Sequence, residues 1–237
     1  MICPSKKNIK IRINLISRLI QDLIQRPLDR NYQILKPLIF SPNDFKRDFL
    51  NPEEMERINT FKALKKQVEW LCGRFSAKTL AQEFLMPDHG LAQVKIDYLE
   101  QGAPYLTAFE DHCLSLSHSG IYTAAALVME PNILMGIDIE AVGPRPGHAF
   151  MKTAFTARQI KNMGNCAHDV FVSWTLKEAY LKYIRKGFNE SLHRVEIIKG
   201  RIYHHGQEKH LACRSLDLDN GYILSMVFPQ DATIQLS

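Results

Sequence analysis

The chain has 237 residues, 46% hydrophobic and 23% charged, enough to bury a sizeable core and unlike a disordered or fibrous composition. Its formal net charge of +5 suits an anionic partner, such as a phosphate ligand or an acidic protein, but is too small to point to nucleic acid. No stretch approaches the roughly 20 apolar residues of a membrane span, and five scattered cysteines (Cys3, Cys72, Cys113, Cys166, Cys213), never in C-x-x-C spacing, fit reduced thiols in the cytoplasm rather than disulfides or zinc.

In chain order, residues 1–24 read as a basic, partly helical run. Charges at Lys6, Lys7, Lys10, Arg12 and Arg18 leave no uninterrupted apolar segment, so no signal peptide is expected. Pro27, Pro37 and Pro42 punctuate extended pieces and turns. Asn51-Pro52-Glu53-Glu54 predicts a helix start, with Asn as cap, Pro at the first helical position and acids in the first turn. From Phe61 to Leu85, apolar residues at Leu64, Val68, Leu71, Phe75 and Leu80 predict a helix. Its Lys62, Lys65, Lys66, Arg74 and Lys78 predict a basic exposed side. Such a side is ordinarily a solvated face, and alternatively a phosphate-binding one.

Gly102 and Pro104 mark a turn. Strands are expected at Cys113–Ser117, Ile121–Met129 and Ile133–Ile139, with a polar turn at Ser117-His118-Ser119-Gly120 and another at Pro131-Asn132. The Ser/His cluster has no G-x-S-x-G elbow and no assignable third partner, which argues against a hydrolase. Within Gly136–Glu140 (GIDIE), strand periodicity puts Asp138 and Glu140 on one face, about 7 Å apart, and Ile137 and Ile139 on the other. Two adjacent carboxylates repel unless a cation lies between them, and an oxygen-only site favours Mg²⁺ over zinc. The same pair also describes two solvated acids at a strand end. Gly136 permits a close backbone approach.

A helix is expected over Ala149–Met163, a break at Gly164–Ala167, and an amphipathic helix over Phe171–Phe188, ending on Arg185-Lys186-Gly187. Phe171, Trp174, Leu181 and Ile184 would pack inward. Glu178 and Lys182 would share a face one turn apart, which alone also describes a surface ion pair. Beyond His193 short strands dominate, with hairpin turns at Gly200 and Asn220-Gly221. His204, His205 and His210 lack a metal spacing and are expected to be exposed.

GIDIE followed by W-T-x-K-E-A-x-x-K at Trp174–Lys182 resembles the 4′-phosphopantetheinyl transferase superfamily. E-W-L-x-G-R at Glu69–Arg74, G-x-P at Gly102–Pro104 and S-H-S-G at Ser117–Gly120 are similar to its larger, single-chain type, which activates peptide synthetases. The resemblance covers residues 60–190 closely. It implies an α+β fold of two pseudo-symmetric halves: residues 1–135 with the basic helix and the S-H-S-G turn, and 136–237 with the metal-binding strand and its partner helix. It also implies transfer of phosphopantetheine from coenzyme A to a serine of an apo acyl or peptidyl carrier protein by a monomer. Asp138, Glu140 and Glu178 match the Mg²⁺ ligands, with Mn²⁺ an alternative. Glu178 also matches the general base, and Lys182 the lysine that contacts the pyrophosphate and acts in the chemistry. His118 in the Ser117 turn, with Lys66 and Arg74, matches the 3′-phosphate contacts, and Gly102 and Pro104 the adenine pocket. Trp174 is expected to pack and Lys177 to be a lesser polar candidate.

Three positions depart from the pattern: Ala103 stands where Lys or Arg is usual, Gln159 where Glu is usual after Phe155-Thr156, and Arg185 where Gly is usual. These departures leave open a coenzyme A- or carrier-binding module without efficient transfer. A two-carboxylate metal protein that matches by chance is a further alternative.

Overall fold

Isoleucines at 9, 11 and 13 alternate with polar residues, a period of two that a pleated strand satisfies and a helix does not. Lys7–Leu15 is therefore a strand, β1, rather than the start of a partly helical run, and helix α1 (Ile16–Leu23) begins only after it. The computed structural model describes residues 7–25 and 36–237; Cys3, Lys6 and Pro27 lie outside them.

Next come α2 (Pro52–Ile58), α3 (Leu64–Phe84), the hairpin β2 (Ile96–Tyr98) and β3 (Pro104–Leu106), and the hairpin β4 (Leu114–Ser119) and β5 (Tyr122–Val128). Then follow β6 (Gly136–Ala141), α4 (His148–Ala154), α5 (Ala157–Asn162) and α6 (Ala167–Tyr183). The chain closes with β7 (Val195–Ile198), β8 (Arg201–His204), β9 (Gln207–Lys209), β10 (Leu211–Leu218), β11 (Tyr222–Pro229) and β12 (Ala232–Leu236).

The fold is α+β. One sheet has the order β12-β1-β5-β4, with α3 packed on it, and another β10-β11-β6, with α6 packed on it. The last strand, β12, runs parallel to β1 and so belongs to the first sheet. Ile9, Ile11, Ala124, Ala126, Ile137, Ile139, Leu224 and Met226 are buried in one shared core. The hairpins expected at Gly200 and Asn220-Gly221 are present; Asn220 (φ 62°) and Gly221 (φ 73°) have the paired left-handed conformation of such turns.

The two sheets meet along a seam of side chains. Cys113, Ser115, Ser117 and Ser119 face the outer edge of β6. Ser115 Oγ accepts from the Ile137 amide (3.1 Å) and Ser117 Oγ from the Ile139 amide (3.1 Å). The edge that β6 does not give to β11 is thus satisfied by hydroxyls, as a buried edge requires. The turn of this hairpin is Gly120-Ile121; Ser117, His118 and Ser119 lie in the strand, not in the turn expected there.

Helix α6 lies directly on β6. A Cβ at Gly136 would stand 1.9 Å from the Ala179 carbonyl oxygen and 2.5 Å from the Tyr183 amide, so only glycine allows this approach. Because α6 sits between this sheet and β7, it is buried all round from Thr175 to Leu181, while Phe171, Trp174 and Ile184 are only half-buried. The expected one-sided amphipathic helix is therefore a sandwiched one. It ends at Tyr183, before the expected Arg185-Lys186-Gly187. Arg185 takes φ 56°, and the Lys186 amide donates back to Leu181 (3.2 Å).

Other expectations change for equally local reasons. The helix expected over 149–163 is two helices, because Thr156 caps α5 and its hydroxyl accepts from the Gln159 amide. The third strand begins at Gly136, not Ile133. The Asn51 cap of α2 is as expected: its side chain accepts from the Glu54 amide, and Glu54 from the Asn51 amide. Glu54 in turn draws in two cations expected at the surface, Lys78, fully buried, and Arg74, 4% exposed. His204 is likewise not exposed: it bonds to the Tyr180 hydroxyl (2.9 Å) and lies 3.3 Å from Glu190.

Gln159 is fully buried, and among the described residues neither atom of its side-chain amide has a hydrogen-bond partner. An orphaned buried amide costs about 1–3 kcal/mol. Gln159→Met, which keeps length and volume, is expected to raise stability by about 1 kcal/mol in urea unfolding. A lowered midpoint would show that the amide is used.

Candidate functional site

All ten sequence-predicted site residues line one cavity of about 490 Å³ between α3, β4, β6 and α6. Strand β6 brings Asp138 and Glu140, with Ile137 and Ile139 buried behind them as the alternation requires. Helix α6 brings Glu178 and Lys182; β4 brings Ser117 and His118; α3 brings Lys66 and Arg74; the β2–β3 turn brings Gly102, and the start of β3 brings Pro104. A larger cavity of about 870 Å³ beside α4 and α5 contains none of them and no carboxylate.

The carboxylates are fixed by the seam. Ser117 donates to Asp138 Oδ1 (2.8 Å) and Ser119 to Glu140 Oε2 (2.7 Å). Lys182 Nζ also reaches Asp138 Oδ1, at 2.7 Å, and its charge offsets part of the repulsion between the two acids. Asp138 Oδ2 and Glu178 Oε1 are buried and have no hydrogen-bond partner among the described residues. Burial, then the charges of Asp138 and Glu140, push the Glu178 pKa up to about 7 against the pull of Lys182; burial also raises Glu140. Buried carboxylate oxygens without donors, in an all-oxygen set, fit a hard divalent cation.

The basic side differs from expectation. Arg74 is held by Glu54 (3.6 Å) and the Ile96 carbonyl (3.0 Å) and lies between the rings of Trp70 and Tyr98, 5.1 Å from each. Lys66 stays largely exposed, 3.4 Å from Glu69. His118 Nδ1 lies 3.7 Å from the same carboxylate, and burial lowers its pKa from the ordinary value against the pull of Glu69.

Sequence reasoning missed Ser119 and Glu69 as site groups and Tyr98 and Phe188 as walls. The strand period already placed Ser119 two residues beyond Ser117 on one face. Nothing local marked Tyr98 or Phe188. Trp174 packs against Phe150 and Phe155, as expected, and also lines the cavity. Lys177 is fully buried, donating to the Ala154 (2.6 Å) and Leu192 (2.9 Å) carbonyls, which makes it a structural lysine. Burial lowers its pKa to about 7.

Residues 134–227, which hold β6, α6 and their sheet, match the family model of the 4′-phosphopantetheinyl transferase superfamily. The chain is similar to members of that superfamily over most of its length. It is 23% identical over 216 residues to 4′-phosphopantetheinyl transferase Sfp of Bacillus subtilis, covering 84% of this chain and 93% of that protein. A second Bacillus subtilis 4′-phosphopantetheinyl transferase is 25% identical over 202 residues, covering 81% and 87%. The L-aminoadipate-semialdehyde dehydrogenase-phosphopantetheinyl transferase of Mus musculus is 29% identical over 167 residues, 62% of this chain and 52% of that protein.

Proposed function

We propose that the chain moves the 4′-phosphopantetheine arm of coenzyme A onto a serine of an apo acyl or peptidyl carrier protein and releases adenosine 3′,5′-bisphosphate. The observation that carries this reading is the pair of buried, unpartnered oxygens, Asp138 Oδ2 and Glu178 Oε1, facing one cavity with Lys182. Asp138, Glu140 and Glu178 would hold Mg²⁺, or Mn²⁺ in its place. The bound ion supplies charge stabilisation to the coenzyme A diphosphate.

The chain's own groups do the rest. The serine oxygen bonds to the phosphorus that carries pantetheine, and the bridging P–O bond breaks. Glu178 accepts the hydroxyl proton. Lys182 stabilises the negative charge that gathers on the departing bisphosphate. Gly102 and Pro104 line the adenine side. Lys66 and His118 receive the 3′-phosphate, with Arg74 fixing the aromatic wall behind them. The two halves, divided near Met135 except that β12 returns to the sheet of the first, join at the serine seam, so each contributes part of the site. We place the protein in the cytoplasm as a monomer acting on soluble carriers, without nucleic acid; among the described residues no helix is long and apolar enough to cross a membrane.

The test is incubation with coenzyme A, Mg²⁺ and a panel of apo carriers, read by mass spectrometry. One phosphopantetheine arm added to a carrier supports the reading, whereas coenzyme A binding with no mass gain on any carrier replaces it with a binding module. For the 3′-phosphate, dephospho-coenzyme A is expected to be a poorer substrate by roughly tenfold or more, the scale of one charged contact. Lys66→Ala is expected to narrow that gap, and equal specificity constants in the wild type would remove the assignment.

A further inference from the structure

A smaller cavity of about 130 Å³ opens beside the main one and shares Gly102, Pro104, Leu116 and Lys182 with it. One wall is the turn Gln101–Pro104; the other is the turn that ends α6, with Arg185 and Gly187. The two turns touch: a Cβ at Gly187 would stand 4.0 Å from the Gln101 carbonyl oxygen. The lining holds two cations, Lys182 and Arg185, and no acid.

Two features of Arg185 call for an explanation. It adopts φ 56°, the left-handed conformation that suits glycine and strains a side chain with a Cβ. Among the described residues its guanidinium also has no hydrogen bond or ion pair, although Lys186, next to it, is paired with Glu190. Packing and local ion pairing therefore do not account for an arginine here. The cavity lies at the carbonyl end of α6, whose dipole alone would repel an anion. Arg185 reverses that field, and its planar fork suits phosphate oxygens.

We infer that Arg185 completes an anion subsite in this annex, taking phosphate oxygens of coenzyme A beside Lys182. The facing turn offers no charge of its own, because residue 103 is alanine. Strain at an unpaired residue kept beside a site is the pattern of a group held for binding at the expense of stability. This inference rests on the coenzyme A reading above.

The experiment measures thermal stability and the dissociation constant for coenzyme A and for dephospho-coenzyme A, without carrier, in wild type, Arg185→Gly and Arg185→Gly/Ala103→Lys. Arg185→Gly is expected to melt higher, because the strain is gone, yet to bind coenzyme A about tenfold more weakly, the loss of one charge-assisted contact. Lysine at 103, across the annex, is expected to recover most of that loss. A loss shared by both ligands places the contact on the diphosphate, and a loss confined to coenzyme A places it on the 3′-phosphate; either supports the subsite. Wild-type affinity in Arg185→Gly overturns it. A wild type that binds no coenzyme A overturns the parent reading instead, so the two failures are distinguishable.

Discussion

Asp138→Asn is expected to lower transfer by on the order of 10³-fold, the scale of a lost charge-stabilising group, while the protein stays folded. Asparagine keeps an oxygen to accept from Ser117 and Lys182, which now share Asp138 Oδ1. What changes is the other atom: the unpartnered Oδ2 becomes an amide nitrogen whose hydrogens point where a cation would sit. Glu178→Gln makes the same exchange from the helix side. Mg²⁺ is expected to raise the thermal midpoint of the wild type, since an ion that binds only the native state stabilises it. It is expected to leave both variants unmoved, a readout independent of turnover. Full wild-type activity in excess chelator would sink the metal assignment.

Gly136→Ala is expected to be nearly as damaging, by a different route. The added methyl would meet the Ala179 carbonyl and the Tyr183 amide at 1.9 and 2.5 Å, and both are backbone atoms that cannot rotate aside. Either α6 lifts from β6 or the strand bends. Overpacking of this kind costs about 1–3 kcal/mol, and here the upper end applies. The same displacement would separate Glu178 and Lys182 from Asp138, and a shift of about 1 Å at a reacting centre can cost roughly 10²-fold in rate. Urea unfolding and a low-temperature assay on the folded fraction read the two effects separately. A variant with wild-type stability would mean that the helix and strand have more room than their spacing shows.

Much of the site was legible because its two carriers have clear periods. Alternation in GIDIE turned both carboxylates one way, and a four-residue step put Glu178 and Lys182 on one helical face. What stayed hidden depended on groups distant in the chain. Arg74 and Lys78 look like a solvated basic face until Glu54 arrives from α2 and buries them. His204 looks exposed until Tyr180 and Glu190 close on it. The all-round burial of α6 follows from a second sheet that no local pattern announces. In β1 the isoleucine alternation is a strand signal, but the lysines and arginines interleaved with it give the segment the composition of a solvated basic run. The end of α6 was misplaced because Arg185 takes the left-handed position that glycine usually marks.

The serine seam has a further consequence for how the two sheets find each other. An ordinary ladder is indifferent to side chains, so neighbouring strands can pair after sliding along one another. Along the seam, β6 meets hydroxyls from every second residue of β4 instead of carbonyls. A slip of one residue would turn Leu114, Leu116 and His118 toward β6. The Ile137 and Ile139 amides would then lose their acceptors, and the two carboxylates would lose their serine donors. The alternation of serine with leucine thus acts as a notched edge that rejects odd-residue slips, and in the alignment observed the serines hold both the amides and the carboxylates. That alignment is the one that sets Asp138 and Glu140 opposite Lys182, so assembling the fold and assembling the site are the same event.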